Sequence, residues 1–218
     1  MYGLQRIGKT IEDVLGIVFT HSHTDHISGF RVLSRECVEY VPRELLLQLQ
    51  KKCETKFTYR LQTNFEDGFK IGEVFVRPFE VMHDSDPTYG YTFEDEDNKV
   101  GVCTDIGVVT SNVESSLIGC SEVILESNYD PYMLETGPYP VDLIIRIKGD
   151  LGHLSNEESA TLCQQLAKTG TNKIILAHLS ETNNSPELAL EEARKKIKGM
   201  GVELSAMFVA DEIKDERN

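Results

Sequence analysis

Three of the six histidines in this 218-residue chain fall within six residues, at His21, His23 and His26, and Asp25 lies among them. They follow an apolar run, Gly16 to Thr20 (GIVFT), which predicts a buried strand. Because alternate residues of an extended chain point to the same side, His21 and His23 can bind one cation together, and Asp25 and His26 then turn toward a second. Imidazole nitrogens and carboxylate oxygens are the usual ligands of catalytic zinc, manganese or iron. The cluster therefore predicts a metal site.

Three further candidate ligands each follow a predicted strand. His83 comes after EVFVRPFEVM, Asp105 after VGVCT, and His178 after KIILA. Catalytic residues of α/β folds collect at strand ends, so these residues would complete the ligand set of a two-metal site. Asp84 and Asp86 beside His83 are either hydrogen-bond partners of metal-bound imidazoles or solvated loop acids.

His153 is the one histidine that this ligand set does not need. It could donate a hydrogen bond to a phosphate oxygen or protonate a leaving group. The alternative is a structural role beside Ser155, since Ser155 to Glu158 (SNEE) fits a capping box that opens a helix.

Apolar strands alternate with amphipathic helices along the chain, which indicates an α/β fold. Neither repeats nor long linkers interrupt the pattern, so we predict one domain over residues 1–218. Strands are predicted over 38–41, 73–82, 88–93, 99–104, 122–126, 173–177 and 202–209. A capped turn is predicted at 10–13, with helices over 26–35, after Pro42, over 112–118, from 156 to near Gly170, and over 186–198.

The formal net charge is −14, which favours solubility and makes the chain a poor general binder of nucleic acid. Bound dications would, however, add positive charge where a substrate phosphate would lie. The sequence contains neither an apolar run long enough to span a membrane nor a secretory leader. Five scattered cysteines without a CxxC pair are typical of a reduced, cytoplasmic protein, and Cys103 and Cys163 are predicted to lie in the core.

The motif from Thr20 to His26 (THSHTDH) resembles the signature of the metallo-β-lactamase superfamily, and His83, Asp105 and His178 match its remaining metal-binding positions. The resemblance implies an αββα sandwich with a dinuclear site at its rim. It also implies two ligand groups joined by one bridging residue: His21, His23 and His83 on one metal, Asp25, His26 and His178 on the other, and Asp105 between them.

Four later motifs resemble the YycJ/WalJ branch of that superfamily: LESN at 125–128, GPYP at 137–140, GHLSN at 152–156 and LAHLSETNN at 176–184. The similarity extends from about Ile11 to about Val209, and members of the branch are associated with 5′-to-3′ exonuclease action on DNA. His153 also resembles the extra catalytic histidine of the related tRNA-processing nucleases.

One departure from the branch concerns the start of the chain. Family members usually begin with further strands that carry a Ser/Gly-rich loop, whereas this sequence starts almost at the helix that leads to the histidine cluster. Strands missing there would leave half a sheet uncovered, which leaves a homo-oligomer or weak stability as alternatives.

These features predict a hydrolase with two divalent cations, zinc or manganese with iron as an alternative, whose shared hydroxide attacks a DNA phosphodiester. Asp25 would orient that hydroxide as well as bind metal, and Arg194 to Lys196 form either a solvated face or a basic surface for DNA. Three alternatives stay open: a small-molecule ester or thioester hydrolase, an inactive metal-binding fragment, and a diiron redox protein. The last typically has glutamate at a histidine position of the first motif, and the intact His23 argues against it.

Overall fold

Two β-sheets lie face to face in this computed structural model, which describes residues 2–29, 33, 36–53, 60–61, 67–85 and 87–207. The strands are β1 (Ile17–Val18), β2 (Glu39–Tyr40), β3 (Arg60–Leu61), β4 (Phe69–Ile71), β5 (Val74–Val81), β6 (Thr88–Glu94), β7 (Lys99–Cys103), β8 (Glu122–Glu126), β9 (Lys173–Ala177) and β10 (Glu203–Ala206). The helices are α1 (Tyr2–Arg6), α2 (Thr24–Ile27), α3 (Arg43–Cys53), α4 (Ser111–Leu117), α5 (Pro131–Thr136), α6 (Val141–Lys148), α7 (Asn156–Lys168) and α8 (Pro186–Ile197).

The larger sheet has the strand order β10-β9-β8-β7-β6-β5-β4. Strands β7 to β10 are parallel, whereas β6 is antiparallel to both β5 and β7. Consequently β5, β7, β8 and β9 all end at the same edge of the sheet. The smaller sheet has the order β1-β2-β3 and is parallel throughout.

Three apolar clusters join these layers. The largest packs α4, α7 and α8 against the strands of the larger sheet. A second packs α3 against β1 and β2, and a third, which includes Tyr40 and Tyr91, lies between the two sheets. The result is the predicted αββα sandwich, in which burial of both faces of the sheets provides the main stabilisation.

Most predicted elements are present, with boundaries that differ by one or two residues. The last strand, predicted over 202–209, is shorter: β10 ends at Ala206, Met207 is not part of it, and residues 208–209 lie outside the described residues. The capping box at Ser155 is confirmed, because its hydroxyl accepts from Glu158 N and the Glu158 side chain accepts from Ser155 N. The helix predicted over 26–35 differs: α2 begins earlier, at Thr24, because His23 is still extended and serves as its N-cap. Residues 30–32 and 34–35 of that prediction lie outside the described residues.

Helices α5 and α6 were not predicted from the sequence. Pro131 occupies the first turn of α5, and Pro140 is the N-cap of α6, so both prolines stand where a helix tolerates them. None of the helices in the described part of the chain has the length and apolar character that a membrane crossing requires. Cys103 and Cys163 are fully buried, as predicted.

Candidate metal centre

The shared edge of the larger sheet carries most of the predicted site. His83 follows β5, Asp105 follows β7, Glu126 is the last residue of β8, and His178 follows β9. The loop after β1 brings the histidine cluster to the same place, where Thr20 O accepts a backbone hydrogen bond from Tyr89 N at 2.9 Å. His83, Asp105 and His178 are thus held just after strands, where neighbouring backbone is fixed by the sheet, whereas Asp25 and His26 lie on the short helix α2.

Among the described residues, four overlapping groups of possible ligand atoms have all their atoms within 4.8 Å of one another. Two of them are the predicted groups: His21, His23 and His83, and Asp25, His26 and His178. The other two include Asp105: one joins it to His21 and His26, and one to Glu126, His153 and His178.

Asp105 lies between the two groups. Its Oδ1 is 3.9 Å from His21 Nε2, 3.6 Å from His83 Nε2 and 3.5 Å from His178 Nε2. Its Oδ2 is 3.4 Å from His26 Nε2. One carboxylate therefore faces imidazoles of both groups, as a bridging ligand must.

The second nitrogen of most of these imidazoles has its own hydrogen-bond partner. His83 Nδ1 lies 3.1 Å from Gly152 O, and His178 Nδ1 lies 2.7 Å from Glu126 Oε1. The Thr20 hydroxyl lies within hydrogen-bond distance of the Nδ1 atoms of both His21 and His26, at 3.1 and 3.2 Å. Partners on Nδ1 fix the ring orientation and leave Nε2 directed at the centre of the cluster.

Three buried atoms at this centre have no hydrogen-bond partner among the described residues: His21 Nε2, His83 Nε2 and Asp105 Oδ2. Buried polar atoms are nearly always paired, and leaving one unpaired costs about 1–3 kcal/mol. Divalent cations would supply the missing partner for all three, so the residues present fit the metal ions that the fold family implies.

Glu126 is a functional residue that the sequence analysis missed. Its side chain is fully buried and accepts hydrogen bonds from His153 Nδ1 at 2.8 Å and from His178 Nδ1. It also accepts from the backbone N–H groups of Asp105, Ile106 and Leu154. A glutamate that ends an apolar strand was the available signal, because such a residue needs buried donors. With its oxygens so occupied, Glu126 orients its neighbours and is poorly placed to bind metal.

The backbone is strained at two of the predicted ligands. Asp105 has φ 60° and His178 has φ 56°, and among the described residues no other non-glycine residue has a positive φ. Such conformations cost about 1–3 kcal/mol each and persist only where surrounding contacts fix them. Here the Glu126 side chain binds the Asp105 backbone and the His178 ring, so one buried carboxylate holds both strained positions.

Charges in the cluster shift the pKa values in opposite directions. Burial, reinforced by the neighbouring histidines, lowers the pKa of His21 to about 2. Burial alone would lower the pKa of His178, but the hydrogen bond and the charge of Glu126 outweigh it and raise that pKa to about 9. The same balance raises the pKa of His153. Burial would raise the pKa of Glu126, yet the two histidines lower it well below its usual range.

Contacts from outside the ligand set hold the loop between His21 and His23. Lys52 Nζ on α3 donates to Ser22 O at 2.7 Å, and the Ser22 hydroxyl donates to Gln48 at 2.7 Å. These bonds attach the histidine loop to the helix that packs beneath it.

A cavity of about 370 Å³ opens beside the ligands. His153 lines it, and its ring centroid lies 5.1 Å from that of His83 and 5.3 Å from that of His178. The side-chain contact of His153 is with Glu126, so the ring belongs to this site and does not cap the helix after Ser155.

Asp84 also lines the cavity, with Oδ1 at 3.3 Å from His83 Nε2 and 3.4 Å from His23 Nε2. It is therefore a partner of the site, whereas Asp86 lies outside the described residues. Asn184 is buried, and its side-chain amide donates to the backbone carbonyls of Ser127 and Asn128, so it joins the loop after β9 to the loop after β8.

Comparison with known proteins gives a consistent result. The sequence profile of the Beta-lactamase superfamily domain matches residues 3–179. The exodeoxyribonuclease YycJ of Bacillus anthracis is 33% identical over 201 residues, which cover 88% of this chain and 75% of that protein. The exodeoxyribonuclease WalJ of Streptococcus pneumoniae serotype 2 is 32% identical over 193 residues, which cover 85% and 71%. The metallo-β-lactamase fold protein YhfI of Bacillus subtilis superposes with a TM-score of 0.72 at 15% identity, over 93% of this chain and 78% of that one.

Proposed function

The chain belongs to the beta-lactamase superfamily, in its YycJ/WalJ branch, and is a metal-dependent hydrolase; from that premise we propose that it is a dinuclear phosphodiesterase that degrades DNA from its ends. The observation that carries the proposal is Asp105, whose buried carboxylate faces imidazoles of both predicted ligand groups. The relatives named as exodeoxyribonucleases support DNA as the substrate.

In this proposal His21, His23 and His83 would hold one ion, Asp25, His26 and His178 would hold the other, and Asp105 would contribute to both. Two divalent cations there, zinc or manganese, would activate water and neutralise charge that develops on a phosphate. The carboxylate of Asp25 is 70% exposed and lines the cavity, so it can accept a proton from the attacking water as well as bind metal.

His153 is proposed as the group that protonates the leaving oxygen. The bond from its Nδ1 to Glu126 fixes the ring and leaves Nε2 for the cavity that the ring lines. A buried carboxylate behind an imidazole selects the tautomer and stabilises the charged form, which suits a general acid. The four cysteines whose side chains are described are buried and free of disulfides, which fits a cytoplasmic enzyme, where chromosomal DNA is available.

A small-molecule ester or thioester hydrolase is the second candidate, and the net charge of −14 favours it. An acidic surface repels a polyanion, whereas a small neutral ester is insensitive to that charge. The same metal ligands would serve either reaction, so a comparison of turnover on the two kinds of substrate distinguishes the candidates.

The test is an assay with added zinc or manganese on 5′-labelled single-stranded and duplex DNA, beside bis(4-nitrophenyl) phosphate and a 4-nitrophenyl thioester. We expect release of labelled mononucleotides and turnover of the phosphodiester. The Asp105→Ala variant, purified identically, controls for contaminating nucleases. Turnover of the thioester with neither phosphodiester cleaved would replace the nuclease by the second candidate.

A further inference from the structure

Helix α6 forms one wall of the cavity and presents a single basic side chain to it. Leu143, Arg146 and Ile147 line the cavity, as the helical repeat requires of residues three and four apart. Val141 and Ile145 lie on the other face of α6 and are 69% and 65% exposed. The helix therefore turns Arg146 toward the proposed active site.

Arg146 is fixed there by Asp84. Its Nε donates to Asp84 Oδ2 at 2.7 Å, and its Nη2 donates to the same oxygen. The other oxygen of Asp84 faces His23 and His83. The carboxylate of Asp84 therefore lies between the guanidinium and two proposed metal ligands. The two hydrogen bonds to Asp84 hold the long Arg146 side chain in one orientation.

The two hydrogen bonds to Asp84 leave most of the N–H donors of Arg146 available to another partner. A guanidinium has five N–H donors, of which the contacts with Asp84 use two. The side chain remains 64% exposed. Arg146 is also the one lysine or arginine among the described residues that line this cavity, where Asp25, Asp84 and Asp105 contribute carboxylates.

We propose that Arg146 binds a phosphate oxygen of the substrate and so makes the site selective for phosphate compounds over uncharged esters. The inference rests on the proposed function, since it assumes a phosphate in this cavity. A guanidinium matches the geometry of phosphate oxygens, and its planar fork can contact Asp84 on one edge and phosphate on another. Leu143 and Ile147 beside it offer apolar surface for the attached nucleoside.

The experiment measures the dissociation constants of thymidine 5′-monophosphate and of thymidine for the metal-loaded protein. The variants are Arg146→Gln and Arg146→Lys, with Arg77→Gln as the matched control, because Arg77 is exposed on β5 and does not line the cavity. We expect Arg146→Gln to weaken binding of the monophosphate by about 10- to 100-fold, the range of a charge-assisted hydrogen bond. Arg146→Lys should fall between Arg146→Gln and the wild type, and thymidine should bind all proteins alike.

Equal binding of the monophosphate by Arg146→Gln and Arg77→Gln would overturn the inference, as would an equal loss of thymidine binding in Arg146→Gln. Should Arg146→Gln fail to fold, Arg146→Lys decides, because a lysine lacks the planar guanidinium that contacts Asp84 on one edge and phosphate on another. Weaker binding by this variant supports the inference, and unchanged binding overturns it.

The DNA assay separates this inference from the proposed function. Cleavage of DNA with an unchanged KM in Arg146→Gln would keep the nuclease and end the role of Arg146. Binding of the monophosphate through Arg146, without cleavage of any phosphodiester, would keep the inference and end the nuclease.

Discussion

Two neighbouring strands, β7 and β8, end at buried carboxylates that differ in how completely the protein satisfies their hydrogen bonding. Glu126, at the end of β8, accepts five hydrogen bonds from two imidazoles and three backbone N–H groups. Asp105, just after β7, has imidazoles around it at 3.4–3.9 Å, and its Oδ2 has no hydrogen-bond partner within the described residues. Both side chains are almost fully buried, so burial does not explain the difference.

The contrast distinguishes a carboxylate that protein donors satisfy from one that needs a bound ligand. Glu126 is satisfied by protein donors, and it fixes the strained backbone at Asp105 and the ring of His178. Asp105 is held in place but unsatisfied, at a cost that a bound cation would remove. A satisfied carboxylate that orients an unsatisfied one is the arrangement expected of a prepared metal site.

The largest effect should come from Asp105→Ala. Because this carboxylate serves both proposed ions, its loss should remove more metal than His83→Ala, which takes one ligand from one site. Elemental analysis of both reconstituted variants makes the comparison. Full metal occupancy in Asp105→Ala would end the bridging role and the contrast with Glu126.

His153→Ala should produce the next largest effect, because it removes the imidazole that Glu126 orients into the cavity. The variant should keep its metals and its fold but lose turnover of DNA by about 10²- to 10⁴-fold. The loss should shrink for bis(4-nitrophenyl) phosphate, whose leaving group departs without a proton. Lower metal content would instead make His153 a ligand, and a lower melting temperature with normal turnover would make it structural.

Glu126→Gln should change stability, because an amide nitrogen replaces one acceptor oxygen and leaves buried donors unpaired. We expect the free energy of unfolding to fall by about 1–3 kcal/mol, measured by urea denaturation of metal-free protein. Glu122→Gln on the same strand is the matched control, since its half-exposed pair with Lys173 is screened by solvent and its loss should change the free energy of unfolding less. An equal fall in the free energy of unfolding in both variants would contradict the role of Glu126 as the acceptor that holds these buried donors.

The most gradual effect is a pH dependence of the metal-free protein. Glu126 raises the pKa of His178 from 6.5 to about 9, so the folded state keeps a proton that the unfolded state releases. The stability from this proton is fully present below pH 6.5 and is lost as the pH rises through about 9. Unfolding free energy should therefore decline between these values, and less steeply in Glu126→Gln. The same decline with pH in the wild type and in Glu126→Gln would show that Glu126 does not raise the pKa of His178.

The sequence predicted the ligands better than it predicted what holds them. The histidine cluster and the residues after the strands GIVFT, VGVCT and KIILA are recognisable, because strand ends and ligand chemistry are both local patterns. The structure brings these predicted ligands together. Their grouping into two metal sites stays a prediction that the measurements above address.

Glu126 and Arg146 were not predicted as site residues for a common reason. Each depends on contacts between residues far apart in the chain, since Glu126 meets His178, 52 residues later, and Arg146 meets Asp84, 62 residues earlier. Helix α6 was missed as well, because its flanking glycine and prolines resemble a loop. Periodicity reports which face of an element is buried and is silent on its long-range partners.

The central claim is that the unsatisfied carboxylate of Asp105 lies between two cations, and metal stoichiometry tests it most directly. Wild-type protein, stripped with chelator and reconstituted with zinc or manganese, should retain about two ions per chain by elemental analysis after desalting. Retention of no more than trace metal, or of a single ion that all seven proposed ligands share, would contradict the account.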